Sequence, residues 1–124
     1  ACQTLMISLT VPSEPSALAV IRATAGAIAA RASLTLDQID DVRMAVEEAG
    51  VVLLAAGVPI SMTADPTSAP FRIEVSVQSV DGVEMGQDTL AWVILQGMTD
   101  HVDLQQSSGQ TTVVMQFQQV ATAR

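Results

Sequence analysis

The sequence predicts an α+β fold, a two-layer sandwich in which a mixed, mostly antiparallel sheet of about five strands carries three helices on one face. Two observations support this prediction. Segments in which apolar residues alternate with polar ones, as in half-buried strands, occur at the start and again in hairpin-like pairs after residue 58. Helical spacing of apolar residues fills the block between them. The predicted order is β-α-α-β-β-α-β-β, within a single domain of residues 1–124.

The first half of the chain predicts one strand and two helices. Alternation over residues 4–11 indicates the strand. Ser13 and Pro15 indicate the start of the first helix, because serine caps helix ends and proline fits a first turn that needs no amide donor. Thr35 and Gln38 have the spacing of a capping box, which predicts the start of the second helix.

The second half predicts four more strands and a third helix. Gly57 and Pro59 are expected to end the second helix. Asp88 is the predicted cap of the third helix, which extends to about residue 99. Strands are predicted over residues 60–64, 71–78, 101–105 and 111–119, with a turn at residues 107–110.

Composition excludes several classes of function. The 13 acidic residues outnumber 5 basic ones, all arginine, so a lysine-rich surface for nucleic acid is absent and direct nucleic-acid binding is not expected. The single cysteine, Cys2, permits no disulfide within the chain and favours a reducing compartment, with the cytoplasm as the expected location. No apolar run reaches the roughly 20 residues of a membrane span, and no signal-peptide pattern is recognised.

Glu47 and Glu48 interrupt the apolar run of the second helix and are candidates for chemistry. One interpretation is a solvated helix face, on which Glu47 pairs with Arg43 one turn earlier. The other interpretation is that Glu48 is the remaining carboxylate of a pocket.

Three local patterns, together with the element order, resemble the anti-sigma factor serine kinases of bacteria, members of the Bergerat-fold, histidine-kinase-like ATPase superfamily. The first is the segment from Ile39 to Ala49, which is similar to the helix that carries the N box. The second is Asp81-Gly82 after the third strand. The third is the carboxyl-terminal part, residues 90–115, with Gly109 and Thr111 or Thr112 at the place of the terminal Gly-Thr.

The resemblance implies a nucleotide site, and it identifies the positions at which this sequence departs from the family's site. Glu48 matches the general base, whereas Val52 replaces the asparagine that holds magnesium in the family. Asp81 and Gly82 match the segment that recognises adenine, and Gly109 and Thr111 border the pocket. The resemblance therefore implies ATP and magnesium as possible cofactors, but we expect none to be required.

The glycine-rich lid of the family is shortened in this sequence. Only residues 83–87 separate Gly82 from the expected cap at Asp88, too few to cover a triphosphate. An acidic cap would also repel the phosphates that a free helix amino terminus attracts. Two alternatives stay open: Asp81 is an ordinary turn residue before glycine, and Trp92 either belongs to the core or lines the space that the lid leaves.

The resemblance leads to three hypotheses about function. The first is an anti-sigma-like regulator that binds a sigma factor or an anti-anti-sigma protein, forms a homodimer and has lost most or all kinase activity. The second is an active ATP-dependent serine kinase. The third is an α+β interaction domain whose function is unrelated to sigma factors. No spacing of histidine, cysteine or acidic residues indicates a metal site of another kind.

Overall fold

A computed structural model describes residues 5–79 and 89–119 of the chain. The predicted order of elements is confirmed. Short 3-10 turns, Pro15–Ala17 and Leu54–Ala56, precede the first helix and follow the second. The strands and helices are β1 (Ile7–Val11), α1 (Leu18–Ala30), α2 (Leu36–Leu53), β2 (Ile60–Ala64), β3 (Phe71–Gln78), α3 (Leu90–Met98), β4 (His101–Ser107) and β5 (Gln110–Phe117).

The five strands form one sheet in the order β1-β2-β3-β5-β4. Every neighbouring pair is antiparallel, so the predicted mostly antiparallel sheet of about five strands is confirmed, and no parallel pair occurs among the described strands. Short connections join β2 to β3 and β4 to β5, as is usual for antiparallel neighbours, whereas β1 pairs with β2 and β3 pairs with β5 across longer stretches of the chain. Val75 of β3 lies opposite Met62 and Val113, so alternate residues of three adjacent strands point to the same face.

That face carries the core and is covered by the helices. Helix α1 lies nearest β1, α2 packs on β3 and β5, and α3 packs beside β4. The helical spacing of apolar residues on α2 predicts a buried stripe that begins at Ile39. Ile39 is only partly buried against the core, whereas the other members are fully buried; they are Val42, Val46, Ala49 and Leu53. On the opposite face the sheet presents short polar side chains, such as Ser61 and Thr63 on β2.

The start and end of α2 follow local sequence signals. The Thr35 hydroxyl accepts a hydrogen bond from the Gln38 amide at 3.1 Å, and the Gln38 side chain accepts one from the Thr35 amide at 3.0 Å. This confirms the predicted capping box. At the other end, α2 continues into the 3-10 turn Leu54–Ala56, which ends at Gly57. Gly57 has a φ of 67°, the left-handed conformation that glycine adopts without a steric penalty.

Two predicted caps are wrong. Ser13 does not cap the first helix; its hydroxyl donates to the Leu54 carbonyl at 3.4 Å, and the chain enters α1 through the 3-10 turn. The cap of α3 is Thr89 and not Asp88, because Thr89 has extended backbone and its hydroxyl accepts from the Trp92 amide at 3.2 Å. Asp88 itself lies outside the described residues, and the argument from an acidic cap therefore no longer holds.

Helices α1 and α2 approach each other closely through glycines. A Cβ atom added at Gly50 of α2 would lie 2.6 Å from Cδ2 of Leu18, which is buried. On α1, Gly26 leaves space that the Arg43 side chain occupies. The absence of side chains at these two positions allows the helices to pack at short distance.

Candidate functional site

Glu48 lies in a groove between α2 and α3. The groove has a volume of about 300 Å³, and its lining consists of four residues of α2 and two of α3: Met44, Glu47, Glu48, Val51, Ile94 and Met98. Met44, Glu48 and Val51 are four and three positions apart, so they share one face of α2. Helix geometry thus places Glu48 among apolar side chains.

The Glu48 carboxylate is partly exposed in this groove. Among the described residues it makes no hydrogen bond and no ion pair. This partly exposed position beside a concave surface is compatible with both predicted interpretations of Glu48, a solvated helix face and a pocket carboxylate. The groove therefore contains a carboxylate that can still accept hydrogen bonds from a binding partner.

Glu47 has a different environment from its neighbour. Its carboxylate forms an ion pair with Arg22 of α1 at 3.0 Å, and the predicted pair with Arg43 is wrong. Arg43 instead packs over Gly26 and lies 3.7 Å from the Asp40 carboxylate. The reason is tertiary, since α1 supplies both the arginine for Glu47 and the space for Arg43.

Val52 does not line the groove. It is partly buried and packs against the hydrophobic core, one position beyond the groove residue Val51. In the described part of the chain, no group of three histidine, cysteine or acidic residues could hold a metal ion. Val52 itself has no oxygen with which to bind magnesium, an ion that takes oxygen ligands.

Gly109 and Thr111 lie away from the groove. Ser108 and Gly109 have φ values of 52° and 76° and form the two-residue turn of the β4–β5 hairpin. The Gly109 carbonyl accepts from the Ser79 amide at 2.7 Å. Thr111 is buried opposite Val77 on the face that the helices cover. Gly109 thus forms part of a hairpin turn and Thr111 is buried in the sheet. Neither of these predicted site residues joins Glu48 in the groove lining.

The other predicted binding residues, Asp81 and Gly82, lie outside the described residues, as do residues 83–87 of the shortened lid segment. Trp92 follows after this part of the chain, on α3. It is 4% exposed, which confirms the prediction that it belongs to the core. Its indole N–H is buried and has no hydrogen-bond partner among the described residues.

Sequence reasoning did not identify the apolar residues of the groove. Met44 and Val51 are about half exposed, on the side of α2 that lies away from the core stripe. On α3, Leu90 and Val93 are also exposed. The spacing of Met44 and Val51, two turns apart on one helix face, was the available signal.

Two carboxyl groups outside the groove have shifted pKa values. Burial raises the pKa of Asp41 on α2, and the nearby charges of Asp37 and Asp40 raise it further. Hydrogen bonds from the Thr67 side chain and amide lower the pKa of Asp65 in the loop before β3. These shifts reflect local structure, because neither group lines the groove.

Comparison with known proteins identifies the fold. No family model matches the sequence, and no curated protein matches it. A solved structure, the RsbU and RsbW domains of Rv1364c from Mycobacterium tuberculosis, is similar with a TM-score of 0.71 and 15% sequence identity. The match covers 94% of this chain and 33% of that chain, so this chain spans about a third of the length of its neighbour.

The search for membrane-spanning segments gives a separate finding. Within residues 5–79 and 89–119, no helix has the length and apolar character needed to cross a bilayer. The similarity and the topology together confirm the predicted fold class: a five-stranded antiparallel sheet with three helices on one face, a fold that this chain shares with that solved structure.

Proposed function

We propose that this chain is an anti-sigma-like regulatory domain that acts by binding a partner protein, with ATP binding and serine kinase activity reduced or lost. The shared fold with the RsbU and RsbW domains of Rv1364c supports the regulatory part of this proposal. The lost activity is supported by the residues at the position of the nucleotide site. Fold alone does not decide function, so the second point carries the proposal.

The observation that carries the proposal is the composition of the α2–α3 groove. Phosphoryl transfer depends on metal ions and cationic groups that neutralise the charge on the phosphates. The groove offers the carboxylates Glu47 and Glu48 and four apolar side chains, and Val52 packs against the core. Because Glu47 is paired with Arg22, a triphosphate in such a groove would face the unpaired Glu48 carboxylate, and no lining residue is an arginine or a lysine.

The resemblance suggests what the partner is. We propose a sigma factor or an anti-anti-sigma protein, bound by a homodimer of this domain in the cytoplasm. The formal charge of −8 favours association with the basic surface of a DNA-binding protein, because opposite charges speed encounter. Direct contact with nucleic acid is not part of the proposal, for the same electrostatic reason.

Isothermal titration with ATP and with ADP, with and without magnesium, tests the lost nucleotide binding. We expect no saturable heat at millimolar nucleotide and no rise in melting temperature under the same conditions. Micromolar binding that requires magnesium would overturn the proposal and favour an active serine kinase instead. Light scattering of the same sample tests the homodimer.

The active kinase is the second candidate, and the unpaired Glu48 carboxylate in the groove is the observation that favours it. The matched pair Glu48→Gln and Glu14→Gln tests this candidate, since Glu14 is exposed at the start of the first helix. A kinase would lose nucleotide-dependent phosphorylation of an anti-anti-sigma protein in the first variant and retain it in the second. The proposed regulator shows no phosphorylation in either variant.

A further inference from the structure

The α2–α3 groove has an unusual combination of exposed apolar side chains and acidic groups. Met44 and Val51 of α2, which line it, are each 50% exposed. Ile94 and Met98 form the other wall. Helices that pack only for stability bury such residues, and contiguous exposed apolar surface commonly marks an interaction site.

We propose that this groove is the docking site for an amphipathic helix of a partner protein, and that the helix carries lysine or arginine beside its apolar stripe. The inference rests on the proposed function, because it names the surface through which the regulator binds. A helix is the expected occupant because its apolar residues, spaced three and four apart, fit a groove between two helices. Methionine side chains adapt to the shape of such a partner.

Charge complementarity identifies the helix as basic. The Glu48 carboxylate has no hydrogen bond or ion pair with the described residues, so binding costs no existing interaction of that group. Glu47, next to it, is already paired with Arg22. A cationic side chain beside Glu48 would form a partly desolvated, charge-assisted hydrogen bond. A second copy of this chain is disfavoured as the occupant of this groove, because the sequence has no lysine and only 5 basic residues from which to build such a basic helix.

The contrast with the neighbouring α1–α2 surface supports the choice of groove. There the acidic and basic groups are matched within the chain, Arg22 with Glu47 and Arg43 with Asp40. The lining of that surface includes the small residues Ala19 and Ala23, which offer little apolar area. Only the α2–α3 side, within the described residues, combines large exposed apolar side chains with an unpaired carboxylate.

The test uses a defined probe, a fluorescein-labelled helical peptide of about 18 residues with leucines at i, i+4, i+7 and i+11 and lysines beside them. Fluorescence anisotropy measures its affinity for the full chain. Two matched variants probe the apolar part: Val51→Asp in the groove and Val20→Asp on α1, whose side chain is 49% exposed and does not line the groove. We expect about tenfold weaker binding for Val51→Asp and less than about twofold change for Val20→Asp.

A second pair of variants probes the charge. Glu48→Lys is expected to weaken binding of the lysine peptide about tenfold and to strengthen binding of a matched peptide with glutamates in place of lysines. Glu14→Lys makes the same change in net charge away from the groove and is expected to have less than about a twofold effect on either peptide. Circular dichroism checks that each variant is folded.

The outcomes separate the inference from the proposed function. Equal affinity of all variants for the lysine peptide, or no binding by the parent chain, would overturn the docking site. The proposed function would survive that result if titration still showed no nucleotide binding. Conversely, magnesium-dependent ATP binding that competes with the peptide would overturn the proposed function, whereas the effect of Val51→Asp on peptide affinity would still report on the groove.

Discussion

Helix α2 packs against its two neighbouring helices in different ways. Towards α1 it presents Gly50, and the missing side chain lets the buried Leu18 approach. Towards α3 it presents Met44 and Val51, which remain about half exposed and border a groove. Both helix pairs border a surface groove, but the linings differ: the groove towards α1 is lined mainly by charged and small residues, and the groove towards α3 mainly by large apolar ones. Helix α2 thus has one neighbour that it meets closely through a glycine and another beside which apolar side chains stay exposed.

Stability and binding are therefore expected to depend on different sides of the same helix. The α1 side and the sheet side of α2 contain its buried residues, and their replacement creates cavities or clashes. The α3 side contains residues whose removal exposes little new surface. Each of the following variants tests one consequence of this difference.

The largest expected effect is for Leu53→Ala on the sheet side of α2. Leu53 is fully buried, so the variant is expected to lower the free energy of unfolding by about 2–5 kcal/mol through lost burial and the remaining cavity. The control on the groove side is Val51→Ala, which we expect to change the free energy of unfolding by less than about 0.5 kcal/mol. Urea denaturation measures both, and equal losses would contradict the distinction between the two sides.

Gly50→Val tests the close approach of α1 and α2. The new Cβ would lie 2.6 Å from Leu18, and the expected loss of unfolding free energy is about 1–3 kcal/mol because α1 must shift. Gly97→Val on α3 is the matched control, since a Cβ there meets no atom within 4 Å. Thermal unfolding measures both variants, and we expect the melting temperature of Gly97→Val to stay close to that of the parent chain. An unchanged melting temperature for Gly50→Val would show that α1 and α2 are not closely packed in solution.

Gly57→Val tests the backbone at the end of α2. A Cβ at Gly57 meets no atom within 4 Å, so the cost comes from the positive φ of 67° alone. The expected loss is about 1 kcal/mol, smaller than that of the packing variant, because a β-branched residue is disfavoured in the left-handed conformation. Chemical denaturation measures it, and a gain in stability would mean that the helix ends without a left-handed residue.

Asp41→Asn is expected to have the smallest effect and a distinct pH dependence. Burial raises the pKa of Asp41, so the folded state binds the proton more tightly than the unfolded state. Stability contributed by this group is highest below its unfolded pKa, about 3.9, and decreases as pH rises through the raised folded pKa.

The melting temperature of Asp41→Asn is therefore expected to exceed that of the parent by at most about 2 °C at pH 7 and to equal it near pH 3. Scanning calorimetry at the two pH values tests this. A stabilisation of the same size at both values would mean that the charge of Asp41 is not the cause.

The sequence predicted most elements because their signals are local. Alternation over residues 71–78 and the capping box of Thr35 and Gln38 depend on neighbours a few positions apart, and both are confirmed. Gly57 and the turn before β5 were recognised because positive φ favours glycine. The cap of α3 was placed one residue too early, since Asp88 and Thr89 are both suitable cap residues and only the backbone conformation distinguishes them.

The candidate site was less predictable than the fold. The sequence placed Glu48 in a pocket with Gly109 and Thr111, whereas the groove lining contains Glu48 and no strand residue. The partner of Glu47 was predicted on the same helix, but it is Arg22, which is 25 positions away in the chain. Residues that are far apart in sequence, such as these two, meet only because their helices pack together. The spacing of residues along the chain does not show which helices do so.

The sequence by itself determined the order of strands and helices, the stripe of α2 that enters the core, and the absence of a magnesium-binding oxygen at Val52. These depend on side-chain chemistry and on the fixed periods of helix and strand. Only the tertiary structure decided that Val52 packs against the core while Val51 and Met44 border a groove with α3. The reason is that the rotation of a helix about its axis, and the partner it meets, follow from packing of the whole domain.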